Sequence, residues 1–378
     1  MRDFGKHIPE LDGIRGAAIL IVLVFHFIGS HEAGVILPHK LQGFLAFGWS
    51  GVDLFFVLSG FLIGGILIDA RNTGNYFQVF YMRRFYRILP LYGALCLFGI
   101  ALFYVPLATH AWLFDGKVPW YAYLTFGQNF WMAKANSTSG SQMGATWSLA
   151  VEEQFYLTLP FVIRVVSRKT LPYVVGLGVL LAPVIRIALW FAVGPTYGGN
   201  ATYLLMPCRM DALLLGVLAA IGVRNPICWN WLVAHKLIIG TASVILGAGD
   251  LEMIHKRVEF GTFGLASFGF TWVALFYLSL LLLAVTQQGF VNRLFKLRPL
   301  TELGTLAYGL YLFHLPVLGL VYGLAGRASP TITGLSSAGL TLLSGALLFG
   351  LTRISWLYFE RPLIRRGHHY QYERELKP

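Results

Sequence analysis

The sequence predicts an all-α, polytopic transmembrane helical bundle of about ten spans, each near the ~20 apolar residues that a bilayer crossing requires. Three observations carry that reading. Of 378 residues, 56% are hydrophobic and 12% are charged, against about 25% charged in an average soluble chain. Apolar runs of spanning length recur from one end of the chain to the other. The 42 glycines suit helices that must approach closely where lipid supplies no hydrophobic drive to pack them.

The net charge of +12 could suit nucleic acid, so its placement decides. Once spans are assigned, roughly 20 Lys and Arg fall on the side of the N-terminus and roughly 6 on the other, a positive-inside bias. Both termini are therefore expected in the cytoplasm, and no nucleic-acid partner is expected. The first apolar run carries Arg15 and His26 and lacks a small-residue cleavage site, so it is expected to stay as a span. Cys96, Cys208 and Cys228 lack metal-ligand spacing, which supports neither a disulfide framework nor a zinc site.

The first span, residues 13–28, lies in LDGIRGAAILIVLVFHF. Eleven residues at about 100° each bring Arg15 and His26 to within roughly 20° of one direction, about 16 Å apart along the helix. Ionisable groups on one face of a membrane helix mark a functional site by default; the plainer alternative is an arginine snorkelling to phosphates and a histidine at the far end. In the second span, 51–68, Asp53, Gly60 and Gly64 share a face that predicts a backbone contact with another helix. Alternatively, Asp53 caps the helix start.

The basic segment 71–87 is expected inside, with Arg83, Arg84 and Arg87 in one helical turn. Such guanidinium forks suit phosphates, although lipid headgroups would also be met there. The third span is 89–107, followed by an outer loop, 110–144, with an interfacial helix at 120–132. The fourth, 147–166, opens with Trp147 and sets Glu152 and Glu153 side by side, about 100° apart and so suited to different tasks. A buried carboxylate near a histidine can fix its tautomer and stabilise its protonated form, as a general base needs; a structural salt bridge is the alternative.

The fifth span is 171–193. A short sixth, 210–223, begins at the outer side beside Arg209 and Asp211, which are expected either to pair locally or to contribute to a site. Spans seven to ten are 237–248, 263–286, 304–324 and 335–359. His314 precedes Pro316, which loosens the helix, and shares a face with Tyr308 and Tyr311; it is either a substrate contact or a packing histidine. Residues 1–366 read as one membrane domain and 367–378 as a polar cytoplasmic tail.

Taken together, five segments resemble the acyltransferase type 3 family of integral-membrane acyltransferases. They are the Arg15 and His26 pair, GVDLFFVLSGF, RRFYRILPLY, TWSLAVEEQFYLTLP and AYGLYLFHLP, in the same order over residues 11–316. The resemblance implies transfer of an acyl group, commonly acetyl, from a cytoplasmic coenzyme A thioester to a hydroxyl of an extracytoplasmic acceptor, usually a glycan. It carries over Arg15 and His26 as the paired residues of the first helix, and Arg84 and Arg87 as the paired arginines of the inner segment. Some members of that family add a C-terminal extracytoplasmic hydrolase-like domain; with this sequence ending shortly after Glu360, a stand-alone membrane member is expected.

The expectation is thus a multi-pass O-acyltransferase of a bacterial inner membrane, with acyl-CoA as donor substrate, a glycan or glycolipid as acceptor, no permanently bound cofactor and no metal. His26, Glu152 and Glu153 are the catalytic candidates, and Arg15, Arg84 and Arg87 the donor-binding ones. Asp53, Trp147, Arg209, Asp211 and His314 are candidates for an acceptor site or for structural roles. His26 would either deprotonate the acceptor or carry the acyl group itself. The competing reading is a transporter or flippase of a glycolipid or anion, against which the sequence shows no repeated halves.

Overall fold

In the computed structural model, which describes residues 7–29, 39–114, 116–137, 141–256, 261–286 and 289–373, the first helix, α1 (Pro9–Val24), starts with a proline where no amide partner is lost and with Glu10 and Asp12 in its first turn. The other long helices are α2 (Gly51–Asp69), α3 (Tyr76–Phe103), α4 (Trp147–Val165), α5 (Leu171–Val193), α6 (Met206–Arg224), α7 (Lys236–His255), α8 (Phe270–Thr286), α9 (Arg298–Leu324) and α10 (Leu335–Ser355). A short helix, α11 (Arg361–His368), follows. No strand occurs among the described residues.

Nine helical stretches among the described residues are long and apolar enough to cross a membrane. The expected count was ten; α4 is not among the nine, because Glu152, Glu153 and Arg164 interrupt its apolar run. Other bounds also move. The arginine cluster is not a separate inner segment but lies in the first half of α3, a single helix of 28 residues. The sixth span begins earlier, at Met206, and the seventh extends to His255.

The expected interfacial helix at 120–132 is two pieces, Trp120–Leu124 and Gln128–Lys134, broken where Phe126 adopts φ 51°. Gln154 of α4 holds the break, donating from Nε2 to the Phe126 carbonyl at 2.8 Å. The last turn of the first span, Phe25–Gly29, winds as a π-helix, so uniform α rotation does not extend through His26. Such π turns recur at functional sites.

Small residues set the closest packing. A Cβ on Gly304 would lie 1.9 Å from the Asp12 carbonyl oxygen, and one on Gly16 would lie 1.8 Å from that of Leu300. α1 and α9 therefore meet backbone to backbone. The predicted face of α2 meets α6 closely too, with Gly60 against the Leu213 carbonyl and Gly64 against the side chain and Cα of Val217.

After α11 the chain folds back on the start of α3. Arg83 donates from Nε to the Tyr370 carbonyl at 2.8 Å, Asn75 donates to the Gln371 carbonyl at 2.9 Å, and the Glu373 amide donates to Asn75 at 3.1 Å. Residues 374–378, the rest of the expected tail, lie outside the described residues.

Gly304→Ala should cost at least the ~1–3 kcal/mol typical of overpacking, because the group it meets is main chain and cannot rotate away. Gly339→Ala, whose Cβ would meet nothing within 4 Å, should leave the thermal unfolding of the purified protein in detergent unchanged or slightly higher.

Candidate active site

A cavity of about 250 Å³ lies between α1, α2, α3, α4 and α9. Arg15, Arg84 and Arg87 line it together with Glu152, Tyr156, Ser59, Ser148, Tyr308 and Tyr311, among mostly apolar neighbours. Arg15 is steadied by Asp12, one turn earlier, at 2.9 Å. Arg84 and Arg87, three apart on α3, both reach the cavity, and among the described residues neither makes a hydrogen bond or ion pair. Arg83, the third member of the cluster, turns instead to the folded-back C-terminal segment.

On the facing side, Glu152 and Tyr156 sit one turn apart on α4, and the Tyr156 hydroxyl shares a 2.5 Å hydrogen bond with Ser59. All three cavity arginines lie within electrostatic reach of Glu152. With Arg15 paired to Asp12, the one lining carboxylate, Glu152, faces both Arg84 and Arg87, which leaves the enclosure positive in apolar surroundings. Unpaired buried charge is costly, so the enclosure is suited to an anionic guest. Glu153 is not part of the lining, and its Oε1 is buried without a hydrogen-bond partner. The adjacent glutamates thus go to different places, as their angular separation requires.

Neither His26 nor His314 lines the cavity. They meet each other, with ring centroids 4.7 Å apart at 61°. The contact follows from the packing of α1 on α9: ten residues beyond Gly16 and Gly304 on their respective helices come His26 and His314, so the two helices run in parallel.

The Nδ1–H of His26 is held by the Val22 carbonyl at 3.0 Å, and that of His314 by the Tyr311 carbonyl at 2.6 Å. A carbonyl can only accept, so each ring is fixed with Nε2 as its basic nitrogen. The sequence suggested a carboxylate for this orienting task; backbone carbonyls perform it. Nε2 of His314 is buried without a partner. Between the histidines and the cavity stands Tyr311, whose ring lies 5.8 Å from that of His314 and whose hydroxyl bonds Ser148 at 2.5 Å and the Ala145 carbonyl at 2.8 Å.

The remaining candidates form a second cluster. Arg209 and Asp211 do not pair locally. Two residues apart on a helix, they point in nearly opposite directions, and each finds a partner on another helix. Arg209 bonds Asp53 of α2 at 2.5 Å, and Asp211 accepts from Arg186 of α5 at 2.9 Å and from Thr271 of α8 at 2.6 Å. Asp53 accordingly makes no capping hydrogen bond at the start of α2. Arg209 also lies 4.0 Å from the centre of the Phe270 ring, and Trp147 packs against Tyr203 at 4.3 Å. None of Asp53, Trp147, Arg209 and Asp211 touches the cavity.

Sequence reasoning passed over Arg186. Its signal was present: a lone arginine inside the apolar run 171–193, the same anomaly that singled out Arg15. No group of three or more His, Cys, Asp or Glu able to hold a metal ion occurs among the described residues.

A helical membrane bundle enclosing a largely apolar cavity lined by three arginines, beside an oriented histidine pair, has the parts of an acyl-transfer enzyme. Residues 8–356 match the family model described as an acyltransferase domain, and the chain belongs to the acyltransferase type 3 family. It is 26% identical over 384 residues to the peptidoglycan O-acetyltransferase OatA of Listeria monocytogenes, an alignment covering 96% of this chain and 56% of that protein. To the O-acetyltransferase OatA of Staphylococcus aureus it is 25% identical over 373 residues, with 96% of this chain and 58% of the relative covered. The chain therefore spans little more than half the length of these curated relatives. No solved structure matches it.

The Asp53–Arg209 pair yields a stability prediction. Arg209→Met leaves Asp53 buried and uncompensated, which should cost roughly 3–5 kcal/mol, whereas Asp53→Leu combined with Arg209→Met should recover most of that loss. Thermal unfolding of the single and double variants in one detergent reads the difference.

Proposed function

We propose that this chain is a membrane O-acetyltransferase that takes an acetyl group from a coenzyme A thioester at the arginine end of the cavity and passes it to a hydroxyl of an extracytoplasmic glycan. The observation that carries the reading is the cavity itself. Two partnerless guanidinium groups stand at one end, and an oriented histidine pair lies directly behind the other. The charge bias of the loops supports a cytoplasmic arginine end, and the peptidoglycan named for one relative supports a glycan acceptor.

On this reading Arg84 and Arg87 hold donor phosphates with charge-assisted bonds, and the thioester arm runs through the cavity toward Tyr311. Nε2 of His26 takes the proton of the acceptor hydroxyl as its oxygen attacks the thioester carbon. The tetrahedral intermediate then collapses, the C–S bond breaks, and the departing thiolate recovers the proton from His26. The hydroxyls of Ser148 and Tyr311 line the cavity, and both are engaged with each other and with the Ala145 carbonyl. Glu152 partly neutralises the arginines, with no proton transfer required of it.

Replacing both Arg84 and Arg87 by Gln should weaken coenzyme A binding at least tenfold, since a hydrogen bond to a charged group contributes about 1.5–3 kcal/mol. Titration calorimetry on the purified protein reads this, and an unchanged affinity would remove the arginines from the donor site. His26→Gln keeps a hydrogen-bonding side chain but no base, so it should abolish acetyl transfer to glycan while coenzyme A still binds. Near wild-type transfer by that variant would move the base to His314 or Glu152.

A further inference from the structure

We propose that the C-terminal segment 361–373 forms an outer subsite for the phosphate-bearing nucleotide end of the donor, beside Arg84 and Arg87. The proposal rests on the donor reading above and extends it to residues that the cavity does not include. Size is the first argument. The cavity, at about 250 Å³, is smaller than the ~300–1,000 Å³ of pockets that enclose drug-sized ligands, and a coenzyme A thioester is larger than most of those. The cavity can take the acyl group and part of the arm. The nucleotide must lie outside it, beyond the phosphates that Arg84 and Arg87 hold.

The second argument is what the fold fastens there. Gly367 packs α11 onto α3, where a Cβ would lie 3.1 Å from the Cβ of Tyr86 and 3.6 Å from the Cα of Arg83. Beyond it, Arg83 bonds the Tyr370 carbonyl and lies 5.2 Å from the centre of the Tyr372 ring. The arginine next to the cavity pair is thus used to tie this segment down. Asn75 clamps its far end through Gln371 and Glu373.

Charge is the third. α11 exposes Arg365, Arg366 and His368, and among the described residues these side chains make no ion pair. His368 is within electrostatic reach of Arg83, Arg84 and Arg87. The Tyr372 hydroxyl is buried without a hydrogen-bond partner, within electrostatic reach of Arg83 and Arg84. Arg84 and Arg87, with the exposed Arg366 on the helix that packs against α3, leave an excess of positive charge here that calls for a bridging anion. Phosphate oxygens, with several acceptor positions each, meet that need. They could come from the donor or from anionic lipid headgroups; the closeness of His368 and Tyr372 to Arg84, which lines the cavity, favours the donor.

The test compares two ligands on the full chain in neutral detergent: coenzyme A, and pantetheine, which has the arm without the nucleotide. The variant Arg365→Gln/Arg366→Gln/His368→Gln changes only exposed side chains, so its unfolding temperature should match wild type. It should lose roughly tenfold in coenzyme A affinity while pantetheine affinity stays the same. Equal losses for both ligands, or a wild-type coenzyme A affinity in the variant, would overturn the subsite. So would a variant that loses only its binding to phosphatidylglycerol vesicles, which would assign these residues to lipid. A wild-type chain that binds no coenzyme A would overturn the donor reading itself, and the subsite with it.

Discussion

Charge placed in apolar surroundings is the constraint on which this bundle depends, and the chain meets it in two ways. Arg186 with Asp211 and Arg209 with Asp53 are matched one to one across helices, each pair buried. Breaking either leaves an uncompensated charge where water cannot reach it, so these pairs hold α2, α5, α6 and α8 in a fixed relation. Arg84 and Arg87 are treated oppositely. They are brought to a cavity whose lining holds one carboxylate, Glu152.

Close backbone packing converts this arrangement into a site. Gly16 and Gly304 allow α1 and α9 to touch main chain to main chain. The contact fixes the axial register of two parallel helices, and the register brings His26 against His314. A slip of one residue would rotate each histidine by about 100°. The glycines and the histidines are therefore parts of one device, although they lie about 15 Å apart along each helix. Tyr311, pinned by Ser148 and by the Ala145 carbonyl, separates that pair from the arginine-lined space.

Much of this was legible in the sequence, because it depends on local spacing. Apolar run length and low charge specify a helical membrane bundle. Residues three apart on a helix must lie near one another, so Arg84 and Arg87 read as a pair before any fold is known. Adjacent glutamates must diverge, and Glu152 and Glu153 do. Glycines on one face of α2 announce a close helix contact, found against α6. Intramembrane charge announces a role without naming the partner.

Partner choice was decided by tertiary structure alone. Asp53 and Arg209 are 156 positions apart, and Arg186 reaches Ser267 of the stretch before α8 across 81; no periodicity within a helix encodes which helices become neighbours. For the same reason the sequence could not divide the three arginines of α3 into two that line a cavity and one, Arg83, that fastens residues from the far end of the chain. Local spacing determines which side chains share a face; only the packing of one face on another determines what they touch.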